Sequence, residues 1–432
     1  VVLKTLHLTN AWHASSGGVG TFYRALLKAA SPAWRPRLVV PAESSRYEPW
    51  GEYAGIYHVR APRAPVDSNY RILYPHRYLL PGSPLREILA REQPHVLEVN
   101  DKFTLPYLGG LVRIGRIREL RHLPVVVGIS CERLDHTLDV YTGFPRASQW
   151  IARVFMKWVY FPQSDAHIAV SPYVAEELES ASRGHKVTRG VWVRGMGVDT
   201  EAFHPGRRTP EARRGIALRA GVSPETALLL YAGRLAPEKN LELLLDMLDF
   251  LPEDFDYVLL VAGDGPCRAE FLAAARRRAP HRVFYWGHEA SRSRLAELVA
   301  NCDVFLHPNP HEPFGIAPLE AMASGTALVA PDQGGVTCYA NSNNAWILAP
   351  EPAAFARAVG EILSDPAERA RRTQAARQTA LNLSWPVVAR GFQALYQDLY
   401  ARHRGEAAHF EPAFYSTPGN WFGFERPSPT SL

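Results

Sequence analysis

Short apolar runs alternate with longer amphipathic ones from residue 228 to residue 330, and this alternation constrains the fold more than any other feature. The runs at 228–233, Tyr257–Ala262, 282–286, 304–307 and 327–330 read as strands. Between them, residues 241–248, Arg268–Arg278, 291–300 and Ile316–Ala323 read as helices. Strands apolar on both faces and separated by helices imply a parallel sheet covered on both sides. Right-handed crossovers then give a doubly wound domain, with its site at the carboxyl ends of the strands.

The first half repeats the pattern less regularly. Residues 3–8 read as a first strand, followed by Gly17-Gly18-Val19-Gly20 and a helix at 21–30. Further strands are expected at 37–40, 96–99, 125–129, 166–170 and Val191–Val193, with helices at 108–121 and 173–180. Residues 46–83, rich in Pro, Tyr and Arg, read as insertions and loops. Gly195-Met196-Gly197 punctuates the chain as a hinge would. The expected organisation is an N-terminal Rossmann-like domain over 1–196, a second over 197–384, a crossover helix over 385–402 and a tail over 403–432.

A chain of 432 residues suits two such domains, since single cores stop growing near ~250–300 residues. No apolar run approaches the ~18 residues of a membrane span. The net charge of +5 suits an anionic substrate, and nothing calls for a nucleic-acid partner. Cys131, Cys267, Cys302 and Cys338 stand far apart, so neither zinc ligation nor a disulfide framework is expected. That usage fits a cytoplasmic protein.

Two glutamates bracket the fourth strand–helix turn. Glu312 follows the strand at 304–307, Glu320 lies in the next helix, and Phe314-Gly315-Ile316-Ala317 stands between. Exposed N–H groups at that helix start suit a phosphate, and carboxylates accept hydrogen bonds from sugar hydroxyls. One loop would then hold both parts of a nucleotide sugar. Arg234 and Lys239 flank the turn after the strand at 228–233, where two cations would neutralise a diphosphate leaving group. Read alone, those cations also fit a solvated surface turn. Gly17 and Gly18 fit either close approach to a diphosphate or a plain tight turn.

These residues are similar to those of the retaining glycosyltransferase family 4. The resemblance rests on Gly233-Arg234, Glu238-Lys239-Asn240, Gly263-Asp264-Gly265-Pro266, Trp286-Gly287, Glu312-Pro313-Phe314-Gly315 and Leu319-Glu320-Ala321. It implies a GT-B fold, with two Rossmann-like doubly wound domains facing across a cleft and a C-terminal helix crossing back to the first. It implies that Arg234 and Lys239 bind the donor diphosphate and that Glu320 binds ribose hydroxyls. Glu312 would face the transferred sugar, among the backbone amides of Phe314, Gly315, Ile316 and Ala317. Gly287 and His288 would lie beside the base, and Gly17 and Gly18 would reach the diphosphate. One departure stands out. Many members carry a His just after the strand at 125–129, whereas this chain has Ser130-Cys131-Glu132 there, with His136 several residues later. Glu132 or His136 is the expected substitute, and Asp101 is a further pocket candidate.

The expected function is retaining transfer of a sugar from a nucleoside diphosphate sugar to an acceptor hydroxyl of a glycan, lipid or small molecule, with no cofactor and no metal. The alternative is a nucleotide-sugar-binding regulatory protein without transfer. The arginine-rich stretch 108–121 fits either a sheet-covering helix or peripheral contact with the inner face of a membrane.

Overall fold

The computed structural model describes residues 2–12, 17–65, 70–142, 145–183 and 190–405. The chain divides into two compact units, one of Val1–Gly195 with Pro386–Leu432, the other of Met196–Trp385. The expected tail beyond Gly405 lies outside the described residues.

The first unit is built on eight strands: β1 (Leu3–Thr9), β2 (Trp34–Ala42), β3 (Arg46–Trp50), β4 (Ala54–Arg60), β5 (Val96–Asn100), β6 (Val125–Ser130), β7 (Ala166–Ala169) and β8 (Val191–Val193). Their spatial order is β3-β4-β2-β1-β5-β6-β7-β8, and every pairing but β3–β4 is parallel. The order reverses between β1 and β5, which marks the switch point of a doubly wound sheet. The helices are α1 (Gly17–Lys28), α2 (Pro84–Glu92), α3 (Pro106–Arg113), α4 (Leu134–Thr142), α5 (Pro145–Phe155) and α6 (Pro172–Ser182). β6 is buried at all positions, as a central parallel strand must be.

Three local expectations need correction. Residues 46–60 form an antiparallel hairpin, not loops. Pro49 is tolerated there because β3 is an edge strand, and the Tyr47 side chain lies where a Cβ on Gly55 would be. The helix expected at 108–121 ends at Arg113, because Gly115 turns the chain at φ +69°. Gly17 and Gly18 form the first turn of α1 instead of preceding it.

The other unit contains β9 (Ala227–Ala232), β10 (Tyr257–Ala262), β11 (Val283–Gly287), β12 (Val304–Leu306), β13 (Ala327–Pro331) and β14 (Trp346–Leu348), all parallel, in the order β11-β10-β9-β12-β13-β14. The expected strands are present with ends shifted by at most one residue. Helices α7 (Pro210–Ala220), α8 (Glu242–Asp246), α9 (Arg268–Arg278), α10 (Arg292–Asn301), α11 (Ile316–Ala323), α12 (Pro352–Ser364) and α13 (Pro366–Asn382) cover the sheet. Leu229, Leu244, Leu259, Leu306, Val329, Phe355 and Ile362 are among its core residues. The switch point lies between β9 and β12.

The last helix, α14 (Trp385–His403), belongs from Pro386 onward to the first unit. Tyr396 on α14 donates to Glu98, which is fully buried in β5. Glu98 also binds His7 Nδ1 of β1 at 2.9 Å and accepts from the Tyr23 hydroxyl of α1 at 2.9 Å. A buried carboxylate requires such partners, so this cluster fixes three elements to one point. Among the described residues, no helix is long and apolar enough to cross a membrane.

Candidate active site

The loops at the carboxyl ends of β9 and β10 pack backbone on backbone. Leu235 N–H donates to Asp264 O at 3.0 Å, and Cys267 N–H donates to Leu235 O at 3.0 Å. A Cβ on Gly263 would stand 1.9 Å from Gly233 O, and one on Gly265 would stand 2.2 Å from Leu235 O. Only glycine fits such contacts, which gives the Gly-Asp-Gly motif a structural reason. Across the switch point, Asn240 adopts φ +51° and donates to Pro308 O at 3.1 Å. The β9 loop is thereby tied to the β12 loop.

That tie places Lys239 against Glu312. Lys239 Nζ donates to Glu312 Oε2 at 2.8 Å, and Asn309 Nδ2 donates to the same oxygen at 3.1 Å. Burial pushes the Glu312 carboxyl upward, but Lys239 and Asn309 prevail and hold it at about 2. Burial works against the Lys239 ammonium, and Glu312 overcomes it, so its pKa is raised. Both groups are charged at neutral pH. His307, at the end of β12, is buried, which pushes it down to about 4 and keeps it neutral. Its Nε2 has no hydrogen-bond partner among the described residues.

Glu312 leads into α11 through Gly315, whose φ is +88°. A Cβ there would meet the Tyr339 hydroxyl at 2.9 Å and Glu312 Cγ at 3.3 Å. Phe314 packs on the Tyr339 ring, centroids 5.2 Å apart. Among the described residues no side chain caps α11, so the first-turn N–H groups of Ile316 and Ala317 have no side-chain acceptor there. Pro318 in the same turn carries no N–H. The last turn of α11 is held by Arg377 of α13, which donates to Ala323 O at 2.7 Å.

Glu320 sits in the middle of α11 and is buried. Its Oε1 lies 3.1 Å from Arg292 Nη2, at the start of α10. Burial raises the Glu320 carboxyl to about 7, with Arg292 opposing and Asp199 adding to the rise. Arg292 also reaches Asp199 at 3.7 Å and lies over the Phe203 ring.

The sequence-derived residues thus fall into groups. Lys239 and Glu312 are in contact. Glu320 pairs with Arg292, which the motif reading missed because it lies in a different strand–helix segment. Asn309 was missed as well, although it stands three residues before Glu312. Arg234 is exposed at the same turn, near enough for its charge to act on Lys239. Tyr231 holds that turn by donating to Arg234 O at 2.8 Å. Gly287 ends β11 at φ +89°, and His288 after it is exposed. Behind them Arg219 stacks on the Trp286 ring, 3.8 Å from its centroid.

In the first unit, Gly17 is exposed at φ +52° with nothing near its Cβ position, and Gly18 is half-buried. Asp101 is partly committed to the local backbone. Its Oδ2 accepts from the N–H groups of Phe103, Thr104 and Leu105 and from the Thr104 hydroxyl, so it caps the approach to α3. Glu132 is exposed, and its carbonyl accepts from Lys102 Nζ at 2.7 Å. His136 lies on α4 with its ring stacked on Tyr173. The buried pair Lys102–Glu177, 3.0 Å apart, anchors this loop, and Glu177 Oε1 caps α4 by accepting from Leu134 and Asp135 N–H. Among the described residues, no group of three or more His, Cys, Asp or Glu is arranged to hold a metal ion.

Comparison with known proteins agrees with this architecture. Residues 219–379 match the family model for glycosyl transferases group 1, and residues 17–189 match that for the glycosyl transferase 4-like domain. The chain is 30% identical over 389 residues to a GDP-mannose-dependent alpha-(1-6)-phosphatidylinositol dimannoside mannosyltransferase of Mycobacterium tuberculosis, covering 89% of this chain and 93% of the relative. It is 31% identical over 244 residues to a D-inositol 3-phosphate glycosyltransferase of Xylanimonas cellulosilytica, covering 55% and 57%. Among solved structures, it is similar to sucrose-phosphate synthase from Thermosynechococcus elongatus, at 18% identity and TM-score 0.70, covering 93% of this chain and 100% of that one. A glycosyltransferase from Rickettsia africae gives 14% identity and TM-score 0.69, covering 92% and 98%. The structural likenesses show the fold, which is GT-B. The chain belongs to the group 1 glycosyltransferases of family 4 type. It is therefore an enzyme that transfers a sugar from a nucleotide sugar.

Proposed function

We propose that this enzyme is a retaining mannosyltransferase that moves mannose from GDP-mannose to a hydroxyl of a sugar or polyol acceptor. The observation that carries this reading is the charged cluster of Lys239, Glu312 and Asn309 at the β9–β12 switch point, beside the uncapped start of α11. The donor follows the GDP-mannose-dependent relative, which aligns along most of both chains.

In this reading Lys239, Arg234 and the first N–H groups of α11 receive the diphosphate, where negative charge develops as the glycosidic bond breaks. Lys239 then exchanges part of its contact with Glu312 for a phosphate oxygen. Glu312, ionised at any physiological pH, accepts from hydroxyls of the transferred sugar. Glu320 accepts from the ribose hydroxyls, with Arg292 holding its carboxylate. The anomeric carbon–phosphate oxygen bond breaks as the acceptor oxygen bonds to the same face. The departing phosphate oxygen takes the acceptor proton, so no enzyme nucleophile is required. Protein groups meet the leaving-group charge, and turnover is expected to persist in chelator.

The test is the anomeric configuration of the first-formed product from an α-linked donor, read by proton NMR. An α product supports retention, and a β product overturns it. A donor panel of GDP-mannose, UDP-glucose and ADP-glucose tests the sugar and the base. Turnover confined to a uridine or adenosine donor would overturn the donor assignment while leaving the site intact.

A further inference from the structure

Helix α5 and the turn that continues it, Met156–Tyr160, have a composition and an exposure that the transfer reaction does not use. Among the described side chains a narrow stripe is buried: Ser148, Ala152, Met156 and Tyr160, at intervals of four. The outward face carries Trp150 and Trp158, each 65% exposed, with Ile151 at 50% and Val154 at 38%. Solubility does not favour four large apolar side chains in water on one short helix, and a contiguous patch of this kind marks a docking surface.

The charges identify what docks. Arg146, Arg153 and Lys157 follow one another at spacings of seven and four, which sets them in a row along one edge of the apolar face. Arg146 and Arg153 are exposed, and Lys157 Nζ lies 5.3 Å from the Trp158 ring centroid. Among the described residues, none of the three forms an ion pair with a carboxylate. No Asp or Glu occurs between Asp139 and Asp165. A row of cations beside a row of Trp, Ile and Val is the pattern of a helix lying in a bilayer interface, with rings at the headgroup level and cations on anionic lipid.

The apolar surface does not stop at α5. Phe155 packs on Phe103, which is itself exposed, at 5.7 Å between centroids. Four residues on, Tyr107 joins Leu79 and Ile114, both exposed, around a cavity of about 660 Å³ lined also by Leu111 and Pro162. A half-buried ion pair, Arg113–Asp165 at 2.7 Å, closes its side.

We infer that the exposed face of α5, continued through Phe103 and the rim around Tyr107 and Ile114, docks this enzyme on an anionic lipid bilayer. The inference stands on the first unit alone and does not depend on the donor or acceptor. It centres the membrane-facing surface on α5 and keeps Ile114, from the stretch 108–121, at its rim.

The test is flotation of the full chain with vesicles of phosphatidylcholine, pure or containing about 30% phosphatidylglycerol, at an ionic strength of about 0.1 M. Wild type is expected to float with the anionic vesicles and not with the neutral ones. The double variant Trp150→Ser, Trp158→Ser and the triple variant Arg146→Gln, Arg153→Gln, Lys157→Gln are each expected to lower the bound fraction by about tenfold or more. Their melting temperatures should match wild type, since every changed side chain is outside the core. Wild type remaining unbound to anionic vesicles would overturn the inference, as would both variants floating like wild type. A wild-type dimer that the tryptophan variant dissociates, with no vesicle binding, would assign the face to a second copy of the chain and also overturn it.

Discussion

At the residue scale, function rests on which groups are charged before the donor arrives. Lys239 and Glu312 hold each other ionised, and Glu320 does not share that security. Its carboxyl, raised by burial to about 7, is half protonated at neutral pH in the free enzyme. If the carboxylate is the form that binds ribose, donor affinity should fall by up to about tenfold per pH unit below 7. Glu320→Gln should bind more weakly at pH 8 and show no such slope. Measuring donor Kd from pH 5.5 to 8.5 checks both. Lys239→Ala is expected to lower kcat by about 10²–10³, the usual effect of removing one group that stabilises transition-state charge. Steady-state kinetics at saturating donor would show it, and unchanged kcat would remove Lys239 from the reaction.

At the element scale, the site depends on backbones that approach closely. Gly263→Ala and Gly265→Ala would each force a Cβ against a carbonyl of the β9 loop. Either should cost about 1–3 kcal/mol of stability, visible as a lowered melting temperature. Tyr396→Phe removes one of the donors to buried Glu98 and loosens α14 from its unit, with a similar cost of about 1–3 kcal/mol. The sequence made the second unit legible because its strands are apolar throughout and its turns carry glycine where the backbone requires it. It hid β3, whose Pro and charged residues belong to an edge, and it overextended α3, where the apolar spacing continued past the Gly115 turn. Arg292 and Asn309 were not legible. Their roles come from tertiary proximity, and neither residue type at its position signals a carboxylate partner. Asp101 carries a structural role that the sequence did not signal, since its Oδ2 accepts from local N–H groups.

At the scale of the whole molecule, the two glutamates oppose each other in pH dependence. Glu312 is depressed from 4.5 to about 2, so its stabilisation is present above pH 4.5 and lost as pH falls through 2. Glu320 is raised from 4.5 to about 7, so its contribution is complete below 4.5 and lost as pH rises through 7. Each shift corresponds to about 3 kcal/mol by linkage. The ligand-free enzyme should therefore melt at a lower temperature at pH 8 than at pH 5.5, and Glu320→Gln should reduce that difference. A thermal-melt series across pH measures it.

The central claim is that the β9–β12 switch point grips the donor's nucleoside diphosphate. Calorimetric titration of GDP into wild type, Lys239→Ala and Glu320→Ala at pH 8 tests it most directly. The account predicts a measurable wild-type affinity that weakens about tenfold or more in each variant, with both variants folded. Equal affinity in all three proteins would contradict it.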